Sequence, residues 1–459
     1  MNKIKIGLAA IALAVISLAT LAHAQSKDDI RITLTGDSNI HRRLSVFDDP
    51  AYLEFFKHIQ TADASFTNLE AVIHPLNIPG AAFAGGTPGI SPSWTVDELK
   101  WAGFNLLSVA NNHSLDYGID GLRANLHALD AAGLVHAGEG ENLAFARAPA
   151  YLDTKKGRVA LIAMASTLTL GEQASQQRPD LPGRPGVNPL RYNTTITVDQ
   201  ATVDTLRKVA ALSVRGFGGE GAGTRDPNQV RFANAVYVAG DTTSVHTDPD
   251  KDDLDAAITS IINGHRQADW VIGSIHAHET KPGTNDQPAD FVIALAHQAI
   301  DAGADIFVVH GPHNVRGIEI YKGKPIIYSL GNFVFDGEAG IPFAPSEVYD
   351  SHHLPWNSNI SDYREATSKG DTIGYGADKE NWDTALVEIT FSQDHKLKEL
   401  VLYPATLGYG LTRSQRGFPH PASPAAAKDI IGNIAKRSEP FGTKVEFING
   451  HGVIKLDQK

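Results

Sequence analysis

The chain has no cysteine among its 459 residues. Disulfides, thiolate nucleophiles, iron–sulfur clusters and cysteine-ligated zinc are therefore excluded. Positive charge is in short supply: 40 Lys plus Arg stand against 52 Asp plus Glu, a net charge of −12. That balance argues against a general nucleic-acid binder and against a polybasic membrane-surface protein. It leaves room for a small anionic substrate, because a metal ion can supply the local positive charge. The glycine-rich run 216–223 has no preceding strand and no Gly-Lys-Ser/Thr ending, so it is not a phosphate loop. No Gly-x-Ser-x-Gly elbow announces a serine nucleophile. Long apolar runs are missing beyond the first two dozen residues, so no later segment is expected to span a bilayer.

What is present starts with a targeting pattern. Lys3 and Lys5 precede an apolar run over about 6–21, and Ala22-His23-Ala24 supplies small residues where an exporting peptidase reads them. Cleavage after Ala24 is expected, giving a soluble exported protein, most simply periplasmic. Apolar residues make up 42% and charged residues 20%, enough for a sizeable core and incompatible with global disorder. The length fits two or three average domains, or one large α/β domain carrying insertions.

The periodicity favours the second. Ile30, Ile32 and Leu34 alternate with polar residues up to Gly36-Asp37, the pattern of a strand. Further strands are expected before Asn68, before Asn111, over 158–165, before His276 and before His310. Helices are expected over about 119–132, stopped by Gly133, over 289–302, stopped by Gly303, and over 425–435. Hairpins are expected over 318–329 and 385–402. Two stretches break the rhythm. Residues 171–235 hold Pro179, Pro182, Pro185 and Pro189, one amphipathic helix over about 199–212 and the glycine-rich run. Residues 337–382 are polar and loop-like. Both read as insertions into one domain spanning 25–459, of the kind that form lids or binding loops.

Five polar clusters follow directly on apolar strands: Gly36-Asp37-Ser38-Asn39, Asn68-Leu69-Glu70, Asn111-Asn112-His113, His276-Ala277-His278-Glu279 and His310-Gly311-Pro312-His313. In an open α/β sheet the carboxyl ends of the strands share one edge, and ligands bind there. Carboxylates, a carboxamide and imidazoles suit Mn, Fe, Zn or Mg. A metal pair ~3.5–4 Å apart needs a bridging carboxylate, and Glu70 is the candidate. Taken singly, each cluster has an ordinary structural reading, and for His41, His278, His352 and His353 that reading leads. Tyr349 and Trp356, in the second insertion, are candidate substrate contacts.

Taken together and in this order, Gly36-Asp37, Asn68-Leu69-Glu70, the Asn-Asn-His-Ser-Leu-Asp of 111–116, the His276 cluster, His310-Gly311-Pro312-His313 and the Tyr-Ser-Leu-Gly-Asn-Phe of 328–333 resemble the CapA family of bacterial poly-γ-glutamate capsule-synthesis proteins. The resemblance spans roughly 30–340. It implies the four-layer α-β-β-α sandwich of the calcineurin-like metallophosphoesterases, with two divalent metal ions (Mn, Fe or Zn). It implies Asp37, Glu70, Asn112, His276, His310 and His313 as ligands and His113 as the catalytic histidine. Asn39, Asn111, His278, Glu279 and Asn332 are then candidates for supporting or substrate contacts. Two positions depart from the pattern: Asn39 stands where phosphoesterases commonly have a histidine, and Ala277-His278 where relatives often have Trp-Gly. The implied function is metal-dependent hydrolysis of a phosphoester or γ-glutamyl bond in an anionic polymer or a small phosphorylated or γ-glutamyl substrate. The alternative is a non-catalytic accessory protein that binds polymer or capsule-assembly partners.

Overall fold

The computed structural model describes residues 29–82, 87–212, 226–336 and 344–456. The signal pattern and the glycine-rich run lie outside the described residues. The fold is mixed α/β, built on two large sheets. In the ten-stranded sheet, the strand Ile30–Asn39 is central, flanked by Ala64–Leu69 in parallel and Asp383–Phe391 antiparallel. Leu106–Ser108 follows Ala64–Leu69, and Leu397–Thr406 follows Asp383–Phe391. A short strand, Asn332–Phe335, pairs with the far end of Ile30–Asn39, placing Asn332 opposite Asp37. The six-stranded sheet has Gly157–Ala165, Trp270–His276 and Ile306–His310 in parallel at its centre.

Apolar side chains from both sheets form one core. Ile32, Leu34, Phe66 and Leu106 of the larger sheet share it with Leu161, Ala163, Ile272 and Val308 of the smaller. Residues at i and i+2 of a strand line one face, so the alternate residues must be covered on the other side. Leu107, Val109 and Phe333 pack against Phe56, Leu99 and Leu129 of the helices Pro50–Gln60, Thr95–Ala102 and Gly118–Ala132. Ile162, Val271 and Phe307 pack against Ile261 and Leu295 of Lys251–Gln267 and Asp290–Asp301. Polar residues on the central strand are buried too, and hydrogen bonding satisfies them. The Thr33 hydroxyl donates to Ser65 Oγ at 3.0 Å and that of Thr35 to the Phe66 carbonyl at 3.2 Å.

Local chemistry sets the helix ends. Asp49 accepts from the Tyr52 amide at 2.9 Å ahead of Pro50 at the first helical position. Gly133 closes Gly118–Ala132 at φ 69°, a left-handed conformation natural to glycine.

The interrupting segments carry more regular structure than the sequence suggests. Tyr192–Val198, Gln229–Phe232, Ala235–Ala239 and Ser244–Pro249 form a separate four-stranded sheet next to the expected helix, Gln200–Leu212. The signal was the β-branched run 194–198 (Thr-Thr-Ile-Thr-Val), which favours a strand. The second segment contains the helices Ser346–Asp350 and Ile360–Ser368, the latter opened by a capping box of Asn359 and Asp362. Near the carboxyl end, Val445–Ile448 and His451–Ile454 pair across Asn449-Gly450, both at positive φ, and extend the larger sheet. No helix among the described residues is long and apolar enough to cross a membrane.

Candidate metal centre

The site begins with a close approach of two backbones. A Cβ at Gly36 would lie 1.9 Å from the Gly331 carbonyl oxygen. The absence of a side chain lets the Asp37 amide donate to that oxygen at 3.0 Å. The ladder with Asn332–Phe335 shifts register between Asp37 and Ser38, and that with Ala64–Leu69 between Leu34 and Asp37, irregularities of the kind that re-aim side chains. Asp37 is buried, and two donors hold its carboxylate: Asn68 Nδ2 to Oδ1 at 2.7 Å and the Gly311 amide to Oδ2 at 3.1 Å. Asn68 Nδ2 also lies 3.2 Å from His276 Nδ1, so one carboxamide ties together the two sheets.

Glu70 follows the strand Ala64–Leu69, its amide bonded to the Ser38 carbonyl at 3.1 Å. It is 1% exposed, and Oε1 makes no hydrogen bond within the described residues. Three imidazoles face that oxygen: His276 Nε2 at 3.5 Å, and His113 Nε2 and His313 Nε2 each at 3.9 Å. Burial pushes the Glu70 carboxyl up to about 7; His313 opposes that rise and Asp37 adds to it. His276 and His310 lie directly opposite each other in the parallel ladder, at the ends of neighbouring strands. His310 Nδ1 is 3.5 Å from Asp37 Oδ1, and both His310 ring nitrogens are buried without a hydrogen bond among the described residues. His313 sits at φ 60°, with Nδ1 3.8 Å from Asp37 Oδ2 and 2.9 Å from Asn332 Oδ1. Burial lowers the pKa of His310 to about 4 and that of His276 well below its ordinary value, leaving both rings neutral at pH 7.

Asn112 is buried on the turn between Asn111 and His113. Asn111 fixes that turn: Nδ2 donates to the Leu69 carbonyl at 2.8 Å, and Oδ1 accepts from the His113 amide at 3.1 Å. His113 Nδ1 lies 2.6 Å from Asp116 Oδ2. Burial opposes charge on this ring, but the Asp116 carboxylate more than offsets it, and the pKa rises to about 9. His113 is therefore a protonated imidazole at neutral pH, with Nε2 turned toward Glu70.

Among the candidates for supporting contacts, Asn332 bonds His313 and also donates from Nδ2 to the Tyr375 hydroxyl and, at 3.2 Å, to the Asn381 carbonyl. Glu279 accepts from Ser166 Oγ at 2.8 Å and Thr167 Oγ1 at 3.0 Å. Asn39 is buried, with its carbonyl bonded to the Asp336 amide at 3.1 Å. His278, read from sequence as structural first and supporting second, stands in the cluster: its Nε2 is 3.0 Å from His276 Nε2. Glu70, His278 and His313 offer ligand atoms within 4.8 Å of one another, the one such group among the described residues. His41 bonds the Asp336 carbonyl, and His352 and His353 are exposed. Trp356 is 95% exposed, and Tyr349 packs edge-on to Tyr363.

Sequence reasoning missed Asn68, Asp116 and Tyr375. The first two were legible as members of the quoted motifs, Asp116 three residues beyond His113. Tyr375 lies in the polar second segment, where nothing in the pattern singles it out. A buried carboxylate oxygen that makes no hydrogen bond among the described residues is costly unless a cation joins it. Nitrogen and oxygen donors of this kind suit a divalent transition ion.

The comparisons agree with the motifs. A family model described as bacterial capsule synthesis protein PGA_cap matches residues 31–337. The protein y4sH of Sinorhizobium fredii is 34% identical over 94% of this chain and 94% of its own length. The capsule biosynthesis protein CapA of Bacillus anthracis is 29% identical over 53% of this chain and 43% of its own length. A probable polyglutamine synthesis accessory protein of Mycobacterium tuberculosis is 28% identical over 61% of this chain and 53% of its own length.

Proposed function

Starting from a chain that belongs to the bacterial capsule synthesis protein PGA_cap family, we propose that it is an exported, metal-dependent hydrolase acting on a phosphoester or γ-glutamyl bond in capsule or poly-γ-glutamate metabolism. In this reading the two sheets and their outer helices form a four-layer α-β-β-α sandwich of metallophosphoesterase type, running from residue 25 after removal of the signal. Asp37, Glu70, Asn112, His276, His310 and His313 hold one or two divalent ions. Bound there, the metal supplies a hydroxide near neutral pH and positive charge for a developing oxyanion. The protein's own part is orientation and proton delivery. Asn68 aligns Asp37 with His276, and Asn332 aligns His313. His113, kept charged by Asp116, gives its Nε2 proton to the departing group.

The observation that carries this reading is Glu70 Oε1, buried without a hydrogen bond among the described residues and faced by three imidazoles. The test is metal analysis of the purified protein together with hydrolysis of a chromogenic phosphodiester and a γ-glutamyl anilide, with and without Mn²⁺. Metal-dependent turnover is expected, with His113→Ala slower by about 10²–10⁴-fold. Equal turnover of wild type and His113→Ala on every substrate would remove the catalytic assignment. A second reading, a polymer-binding accessory protein with a structural metal, draws on the near-complete burial of Asp37, Glu70, His276 and His310. Polymer binding that survives chelation, without turnover, would favour it.

A further inference from the structure

The segment that leaves the strand Trp270–His276 continues the ladder by one more bond. The Ala277 amide bonds the His310 carbonyl at 2.8 Å, and the His278 amide bonds Thr167 Oγ1 at 2.8 Å. In an extended segment, residues i and i+2 share a face. Ala277 therefore turns into the helix-covered core while His276 and His278 turn together toward Glu70. Room for the second ring comes from Gly311. A Cβ there would lie 2.5 Å from His278 Cδ2 and 3.1 Å from Nε2 of both histidines, and the backbone is at φ 104°. A side chain at 311 would thus fill the space that the paired rings use.

We propose that His278 is a direct metal ligand, closing with Glu70 and His313 a site that takes a borderline ion such as zinc in preference to magnesium or calcium. The inference rests on the metal centre described above. The geometry carries it: one ligand atom from each of the three side chains lies within 4.8 Å of the others. Metal bonds of about 2.0–2.1 Å put neighbouring ligand atoms roughly 3 Å apart, so a small rotation of these side chains brings them onto one ion. Two imidazoles and one carboxylate match the donor preference of zinc, whereas magnesium and calcium prefer oxygen. His278 is also partly exposed, so an ion held there would be within reach of a substrate.

The test uses the full chain stripped with chelator, titrated with Zn²⁺, Mg²⁺ and Co²⁺. His278→Ala and His278→Gln are compared with wild type, and their unfolding midpoints check that they fold. Wild type is expected to bind Zn²⁺ well ahead of Mg²⁺. Both variants should bind Zn²⁺ about 100-fold more weakly, and the visible Co²⁺ bands should shift as an imidazole is lost. If wild type binds Zn²⁺ while both variants match it within about twofold, or weaken with an unchanged Co²⁺ spectrum, His278 is not a ligand and the metal centre stands without it. If wild type takes up no metal, the centre itself is wrong and this inference falls with it.

Discussion

Asn68 does more for the site than its single carboxamide suggests, because the same nitrogen meets Asp37 of one sheet and His276 of the other. Asn68→Ala should leave both groups in place but unaligned. The expected result is metal affinity lower by about 10–100-fold with the unfolding midpoint little changed, read by Zn²⁺ titration and thermal unfolding. A second residue ties the fold to pH. Glu139 is buried, and burial pushes its carboxyl up from 4.5 to about 8, against the hydrogen bonds from Ser114 and Asn125. The folded state therefore holds this proton more tightly than the unfolded chain does. The resulting stability is fully present below pH 4.5 and is lost as pH rises through about 8. Glu139→Gln should flatten that slope and unfold at a higher temperature than wild type above pH 8. Parallel slopes in the two proteins would reject the assignment.

At the scale of elements, the apolar run before each polar cluster made the strands legible, and with them the places where Asp37, Glu70, His276 and His310 emerge. Long-range contacts were not legible. Nothing local to 328–333 shows that Gly331 presses its carbonyl against Gly36, or that Asn332 will lie opposite Asp37. Nor does a polar stretch announce that Tyr375 will reach Asn332. The strand of 192–198 is obscured for a different reason: the prolines before it and the glycines after it outweigh its β-branched core. Gly36→Ala tests the tightest of these approaches. A methyl group 1.9 Å from a carbonyl oxygen cannot be accommodated without moving one of the strands. A loss of about 3 kcal/mol or more is expected, measured as a lower urea midpoint.

For the molecule as a whole, stability and site geometry share one apolar interior. Phe66 is buried between the sheets, and its ring lies 5.3 Å from that of His310. Phe66→Ala should cost about 3–5 kcal/mol and also weaken metal binding, because the imidazole loses the surface it rests on. Loss of stability with unaltered affinity would separate the two roles. The pairing of His276 with His310 also limits what the chain can tolerate. Side chains alternate along a ladder, so removing one residue from the middle of Trp270–His276 would turn the downstream imidazole to the opposite face. The same deletion in the exposed turn 241–243 would leave that alternation untouched. Single-residue insertions and deletions should therefore be excluded from the strands that end at histidine and permitted in that surface turn.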